Sequence, residues 1–468
     1  MITEHNMADG MHRVKAMYCE RTHRSASLFQ AARNVLPGGD TRTVTHFEPH
    51  PLFMESGAGC KLTDVDNNQY LDFLNNYTAL VHGHAHPKIT DAVFQQLQKG
   101  TCYASPIELQ TMLAEVLSRR VPGIEHIRFC NSGTEATMSA VRLAKAYTRR
   151  NKVIKMEGGY HGSHDMAQIS VKPSLTDAGP ARAPNSVPEG PGIFRGVLTD
   201  VVVAPFNDVD DTSRIVDLHH NDLAAIIVEP VLGSPGVIPA RPEYLKFLRE
   251  VTRSCDAVLI FDEIVTFRLA YGGAQEIYGI TPDLTTLGKI IGGGFPVGAF
   301  GGRAEIMDLL DPRRGKLTHS GTFNGNAITL TAGLACLELL TEVEIERINH
   351  LGERLREAFR GALLSAGIAG QICGLGSLAS VHFAEREVID YRSAAEGVNR
   401  QALQALHLSL LNGGVFPAPR GEFCISTPMG EWEVDQAGAV FRSALEAAVP
   451  YLDPRAKCGA KTNVLQST

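Results

Sequence analysis

Between residues 90 and 300 short apolar runs alternate with stretches of helical periodicity, and this rhythm constrains the fold more than any other feature of the chain. The runs are Ile127-Arg128-Phe129 and residues 152–156, 201–204, 224–228 and 257–261. Such runs, separated by helical stretches, are the pattern of strands covered on both faces by crossover helices. The expectation is an α/β unit around a mostly parallel sheet. In such sheets ligands bind outside the carboxyl ends of the strands. Those ends are where chemistry is sought.

The chain has 468 residues, enough for two or three core-forming units. It divides into a polar, Met/His-rich N-terminal arm (1–25), read as loose and free to lie on a partner, and a segment (26–75) that contributes to a smaller domain. A large domain (76–330), a C-terminal small α+β domain (331–455) and a polar tail (456–468) follow. A helical pattern covers 26–36, and residues 51–73 read as strands around a hairpin turn at Asp64-Val65-Asp66-Asn67-Asn68. Helices are expected over 325–340, 345–366 and 398–411, and strands over 378–383 and 422–426. The Pro/Gly-rich stretch 173–196 lacks periodicity and reads as an ordered loop over a site or as a lid.

Charge and cysteine content exclude several classes. Lys and Arg number 44 against 51 Asp and Glu, a net charge of −7, so there is no basic surplus to hold a nucleic-acid backbone. Nine scattered cysteines without a C-x-x-C pair fit neither a disulfide framework nor a structural zinc site, and suit a reducing cytoplasm. No window is apolar enough to span a membrane and the N-terminus lacks the apolar core of a secretory signal. A cytoplasmic protein is expected.

Four strand ends carry candidate chemistry. The first runs into Ser132-Gly133-Thr134 and then a helix, where free N–H groups, hydroxyls and the helix dipole suit a phosphate; a plain N-cap is the alternative. The second ends in Gly158-Gly159-Tyr160-His161-Gly162, which places an aromatic ring over the sheet end. His161 and His164 resemble a metal pair, but no third ligand accompanies them, so no metal is expected. The third strand stops at Glu229 and the fourth at Asp262-Glu263. Successive strand residues face opposite ways, so only one of that pair looks into a given site. A carboxylate ending an apolar strand needs a cationic partner, and a protonated ring nitrogen would serve. Lys289 lies between an apolar stretch and Gly292-Gly293-Gly294; enclosed there, its ammonium pKa falls and the amine becomes a nucleophile toward aldehydes. Gly374-x-Gly376 mimics a dinucleotide fingerprint, yet strand rather than helix follows it.

Taken together, these features resemble the class III (omega) family of pyridoxal-phosphate aminotransferases. The stretches that carry the resemblance lie within residues 36–426: NSGTEATMSAVRLA, GGYHG, VEPV, LIFDEIVTFR, PDLTTLGKIIGGGFPVGAFGG and HSGTFNGNA. The nearest branch holds glutamate-1-semialdehyde aminomutases and β-amino-acid aminotransferases of the β-phenylalanine type. The resemblance implies fold type I: a large domain with a mostly parallel, seven-strand-type sheet plus a smaller α+β domain. It implies pyridoxal 5'-phosphate held by Lys289 as a Schiff base, with Asp262 keeping the ring nitrogen protonated. Tyr160 would stack on the ring, with His161 beside it. Ser132, Gly133 and Thr134 would cradle the phosphate, and Glu229 would support the ring-side hydrogen bonds. Thr322 would reach the phosphate of the other subunit, making a homodimer with a shared active site.

Substrate groups follow from the same resemblance. Arg42 sits where this branch binds a carboxylate, Arg420 matches a second arginine of the β-amino-acid aminotransferases, and Tyr77 lines the pocket. Glu422 is the alternative partner for Arg420. The expected activity is transfer of an amino group from an amino acid, β-amino acids included, to a 2-oxo acid. A glutamate-1-semialdehyde 2,1-aminomutase is the alternative, then an amino-acid racemase. The stretch after Asp262 is one residue shorter than the aminomutase pattern, and 173–196 lacks that group's Gly/Ala-rich stretch; both favour the aminotransferase. With Lys289 and Asp262 both present, a non-catalytic homologue is set aside.

Overall fold

A seven-stranded sheet forms the centre of the computed structural model, which describes residues 4–314 and 317–452. Three short strands precede it: β1 (Met54–Ala58), β2 (Lys61–Asp64) and β3 (Gln69–Asp72). The central strands are β4 (His126–Cys130), β5 (Lys152–Met156), β6 (Val201–Ala204), β7 (Leu223–Val228), β8 (Val258–Asp262), β9 (Leu284–Gly288) and β10 (Gly298–Gly302). Their spatial order is β4-β10-β9-β8-β7-β5-β6. Strand β10 runs antiparallel to both neighbours; the other pairings in the sheet are parallel.

The five apolar runs read from the sequence are β4 to β8. Ile154, Ile226, Leu259 and Phe261 pack into one covering layer, while Val153, Ala225, Ile227, Val258 and Ile260 pack into the other. Each fully buried Val, Ile, Leu or Phe among them stabilises the fold by roughly 1.5–3 kcal/mol. Strands β9 and β10 were not read. Their sequences, LTTLG and GAFGG, are rich in Gly and Thr, and it is complete burial between neighbours that makes them strands.

The N-terminal region corrects the expectation of a loose arm. Residues Glu4–Arg21 form a helix, followed by a second over His23–Ala32. Met11, Val14 and Tyr18 recur at helical spacing and pack on Leu408 and Leu411. The buried Tyr18 hydroxyl donates to His50 O at 2.8 Å. That stripe was masked by the surrounding His, Lys and Arg residues. Residues 1–3 and the tail over 456–468 lie outside the described residues.

Toward the C-terminus, helices Glu342–Ser365, Arg400–Asn412 and Glu431–Ala448 pack together around Phe359, Phe441, Leu406 and Leu445. A three-stranded sheet joins β11 (Gln371–Cys373), β12 (Leu378–His382) and β14 (Glu422–Cys424), with β13 (Val415–Phe416) between the last two in sequence. β13 pairs in parallel with β3, tying the N-terminal strands to this region. Gly374 and Gly376 lead into strand β12, so the dinucleotide mimic lacks its helix. Stretch 173–196 is an ordered loop whose carbonyls at Ala178 and Gly179 accept hydrogen bonds from Arg392.

Candidate active site

Strands β4, β5, β7, β8 and β9 deliver their carboxyl ends to one edge of the sheet, and every strand-end candidate lies there. Asp262 is the last residue of β8 and 3% exposed. Its Oδ2 accepts a hydrogen bond from His161 Nδ1 at 2.8 Å. Its Oδ1 accepts from Thr286 Oγ1 at 3.0 Å and from the Ile264 N–H at 3.2 Å. Glu263 faces away, accepting from the N–H groups of Ala274 and Gln275, as strand alternation requires.

Lys289 follows β9 and opens a short 3-10 turn, Lys289–Gly292. Its φ of 48° is left-handed, a sparsely populated region for a lysine, held here by the packed glycine turn behind it. Burial pulls its ammonium pKa below the ordinary lysine value, opposed by the nearby Glu229 and Asp262 carboxylates. Glu229, just beyond β7, is buried and pushed up to about 8 by that burial, reinforced by the charge of Asp262. Its oxygens accept from the backbone N–H of Tyr160 at 2.8 Å and of Gly233 at 3.1 Å. Glu229 therefore fixes the backbone of the Tyr160 turn, and the Tyr160 ring is left 46% exposed.

Both readings of the Ser132 turn are compatible in the structure. Ser132 Oγ accepts from Glu135 N at 3.1 Å, a true N-cap of the helix Gly133–Thr148. Beyond that cap the turn still carries the positive end of a 16-residue helix dipole. Thr134 Oγ1 accepts from Ser163 N at 3.1 Å, joining this turn to the one after β5. Gly162 makes the approach possible: at φ 99°, a Cβ there would sit 2.6 Å from Thr134 Oγ1 and 2.7 Å from its Cα.

The two arginines are placed differently. Arg42 is exposed, with Nη1 donating to Asn76 Oδ1 at 2.8 Å. Arg420 is half-buried and forked onto Glu422, Nε to Oε1 at 2.7 Å and Nη2 to Oε2 at 2.8 Å. Burial works against that guanidinium, but the Glu422 carboxylate overrides it and raises its pKa. Tyr77 lies between the two regions: its hydroxyl donates to Val44 O at 2.8 Å, and the Arg420 guanidinium carbon is 6.0 Å from its ring centre. Thr322 is exposed on the turn whose Asn324 Oδ1 accepts from Asn131 Nδ2 at 2.7 Å, beside the Ser132 turn.

Several supporting residues escaped sequence reading. The His161–Asp262 bond joins ends of strands that flank β7; the sheet order, unknown from sequence, is what reveals it. Lys155, in β5, is fully enclosed, donates to Gly159 O at 2.8 Å and is pulled down to about 7 by burial. Arg392 forks onto Glu157 at 2.7 and 2.9 Å, and Tyr391 packs where a Cβ on Gly158 would be. Nothing local in the sequence marks these last contacts. Among the described residues, no group of three or more His, Cys, Asp or Glu side chains is placed to hold a metal ion.

A pyridoxal phosphate fits this donor set. The hydrogen-bond partners of buried Asp262 are an imidazole, a hydroxyl and a backbone N–H, which leaves its charge available to a cationic ring nitrogen. A lysine of lowered pKa and a helix N-terminus stand at the same edge, matching an aldehyde and a phosphate.

Comparisons with known proteins place the chain in a family. The family model described as aminotransferase class-III matches residues 43–426. A glutamate-1-semialdehyde 2,1-aminomutase from Methanothermobacter thermautotrophicus is 43% identical over 412 residues, covering 88% of this chain and 96% of that protein. An omega-transaminase from Sphaerobacter thermophilus superposes with a TM-score of 0.86 at 45% identity, covering 91% of this chain and 98% of that one. A β-phenylalanine aminotransferase from Variovorax paradoxus does so with a TM-score of 0.86 at 36% identity, covering 93% and 97%.

Proposed function

The chain belongs to the class-III aminotransferase family, and from that premise we infer that it is a pyridoxal-phosphate-dependent aminotransferase moving an amino group from an amino acid, β-amino acids included, to a 2-oxo acid. When bound, the cofactor supplies an electron sink for the carbon that loses a proton, which no side chain provides. Everything else is the work of the chain. Lys289, whose ammonium burial disfavours, would hold the cofactor through its aldehyde and, once the substrate's amine has taken its place, its Nζ would take up the proton lost by the substrate carbon and return it to the cofactor side. Asp262 would keep the ring nitrogen protonated, and His161 holds the carboxylate in place. Residues Ser132, Gly133 and Thr134 would hold the phosphate at the helix N-terminus, and Tyr160 would lie against the ring. Thr322 would complete the phosphate site of a second copy, which makes a homodimer the active unit, and the scattered cysteines suit a cytoplasmic setting.

The observation that carries the transaminase reading is the pair of arginines around Tyr77. A guanidinium fork binds a carboxylate bidentately, and two forks let one pocket take an amino acid and a 2-oxo acid in turn. Arg42 receives the donor's carboxylate, and Arg420 receives the acceptor's once it leaves Glu422. A second reading, intramolecular transfer as in an aminomutase, has one specific support: the relative 43% identical over most of both chains carries that name. Supplying glutamate semialdehyde or a β-amino acid, with and without 2-oxoglutarate or pyruvate, separates the two. Turnover that requires the 2-oxo acid supports the aminotransferase; isomerisation of the semialdehyde with no acceptor present establishes the aminomutase.

A further inference from the structure

Four consecutive non-glycine residues, Asn75 to Thr78, adopt left-handed φ angles of 48°, 49°, 56° and 72°. L-residues normally visit that region singly, so a run of four persists only where its surroundings over-determine it. Here they do. Asp72 Oδ1 accepts from the N–H groups of Leu74 and Asn75 at 2.9 and 2.8 Å. Asn75 Nδ2 donates to Cys424 O at 3.0 Å, and the fully buried Arg268 donates to Thr78 O at 3.4 Å. A neighbouring aspartate and two distant parts of the chain thus fix one turn. That turn presents Asn76 to Arg42 and, next to it, Tyr77 to Arg420.

The two arginines meet opposite electrostatic partners. Arg420 is forked onto the Glu422 carboxylate, so its charge is compensated within the protein. The side-chain partner of Arg42 is the neutral amide oxygen of Asn76. Asp40, two residues away, feels the Arg42 charge, but its oxygens are spent on the backbone N–H groups of Thr41 and Arg42 and on the Thr45 hydroxyl, and no ion pair joins the two side chains among the described residues. An amide orients a guanidinium by one hydrogen bond without neutralising it.

We propose that Asn76 is a specificity-determining residue: held on the left-handed turn, its amide aims the Arg42 guanidinium while leaving its positive charge free for a substrate carboxylate. This rests on the reading of Arg42 as the donor-carboxylate site. Asparagine also suits the position because it tolerates left-handed φ better than other side-chain-bearing residues.

The test uses the pyridoxal-phosphate-loaded protein and 3-phenylpropanoate, a carboxylate with no amino group, titrated by calorimetry. Asn76→Asp keeps shape and backbone but places a carboxylate against Arg42. It is expected to weaken binding about tenfold or more, and to raise KM for a β-amino acid more than it lowers kcat, with the cofactor's absorbance unchanged. In Arg42→Ala, which itself binds weakly, adding Asn76→Asp is expected to cost little more. Should Asn76→Asp not fold, Asn76→Gly allows the same φ and is expected to weaken binding a few-fold. Parent-like binding by the folded Asn76 variant, while Arg42→Ala binds weakly, overturns the role of Asn76 alone. Parent-like binding by Arg42→Ala overturns the carboxylate site and this inference with it.

Discussion

His161 Nδ1 stands 2.8 Å from Asp262 Oδ2, and both side chains are at most 3% exposed. Since a carboxylate only accepts, the shared proton resides on Nδ1, and the lowered pKa that burial imposes on His161 keeps Nε2 an acceptor. The imidazole thereby orients Asp262 without adding a full positive charge beside it. A cationic ring nitrogen would be the counter-charge.

Asp262→Asn therefore removes the charge and keeps the shape. The expected outcome is a folded protein that still binds pyridoxal phosphate but turns over at least about a hundredfold more slowly, the scale on which such electrostatic groups act. Near-parent rates in a stable, cofactor-loaded variant would show that Asp262 merely braces the sheet end.

Glu229 predicts a pH dependence of stability. Its folded-state pKa is raised from 4.5 to about 8, so the folded chain holds its proton more tightly than the unfolded chain does. That contribution is fully present below 4.5 and is lost as pH rises through 8. The lowered pKa values of Lys289 and Lys155 act in the opposite sense, so the comparison between parent and variant isolates the effect of Glu229. Urea unfolding of cofactor-free protein between about pH 5 and 8 should show Glu229→Gln with a flatter profile, by a few kcal/mol in order of magnitude.

Arg420→Ala should raise KM for the 2-oxo acid about tenfold or more while leaving the cofactor's absorbance in place, since a bidentate guanidinium–carboxylate contact is lost. On either reading the variant unpairs a largely buried Glu422 carboxylate and loses stability; if Arg420 served only to neutralise Glu422, KM would hold.

The Arg392–Glu157 pair clamps the turn that carries Tyr160 and His161. Side-chain exposure is 16% and 3%, so Arg392→Met leaves a buried carboxylate unpaired, at a cost of about 3–5 kcal/mol. Thermal unfolding should show a large loss, accompanied by weaker cofactor binding, and Glu157→Gln added to Arg392→Met should recover part of both.

Much of this site was legible because strand ends are local events. An apolar run that stops at Glu229 or Asp262 announces itself, and the sheet brings such ends to one edge. What stayed hidden depends on which strands neighbour which. His161 and Asp262 meet because β5 and β8 both flank β7, an order that no periodicity encodes. β9 and β10 were missed because their glycines and threonines become strand only through burial. The N-terminal helix was missed because a three-residue apolar stripe is faint among charged neighbours.

The central claim is that Lys289 is the residue that carries pyridoxal phosphate. Borohydride treatment of the cofactor-loaded protein fixes the cofactor to its lysine, and peptide mass spectrometry then locates it. The account predicts the modification on the peptide containing Lys289, with none remaining after Lys289→Ala. Modification at Lys155, the other enclosed lysine of lowered pKa, or undiminished labelling in Lys289→Ala, would contradict it.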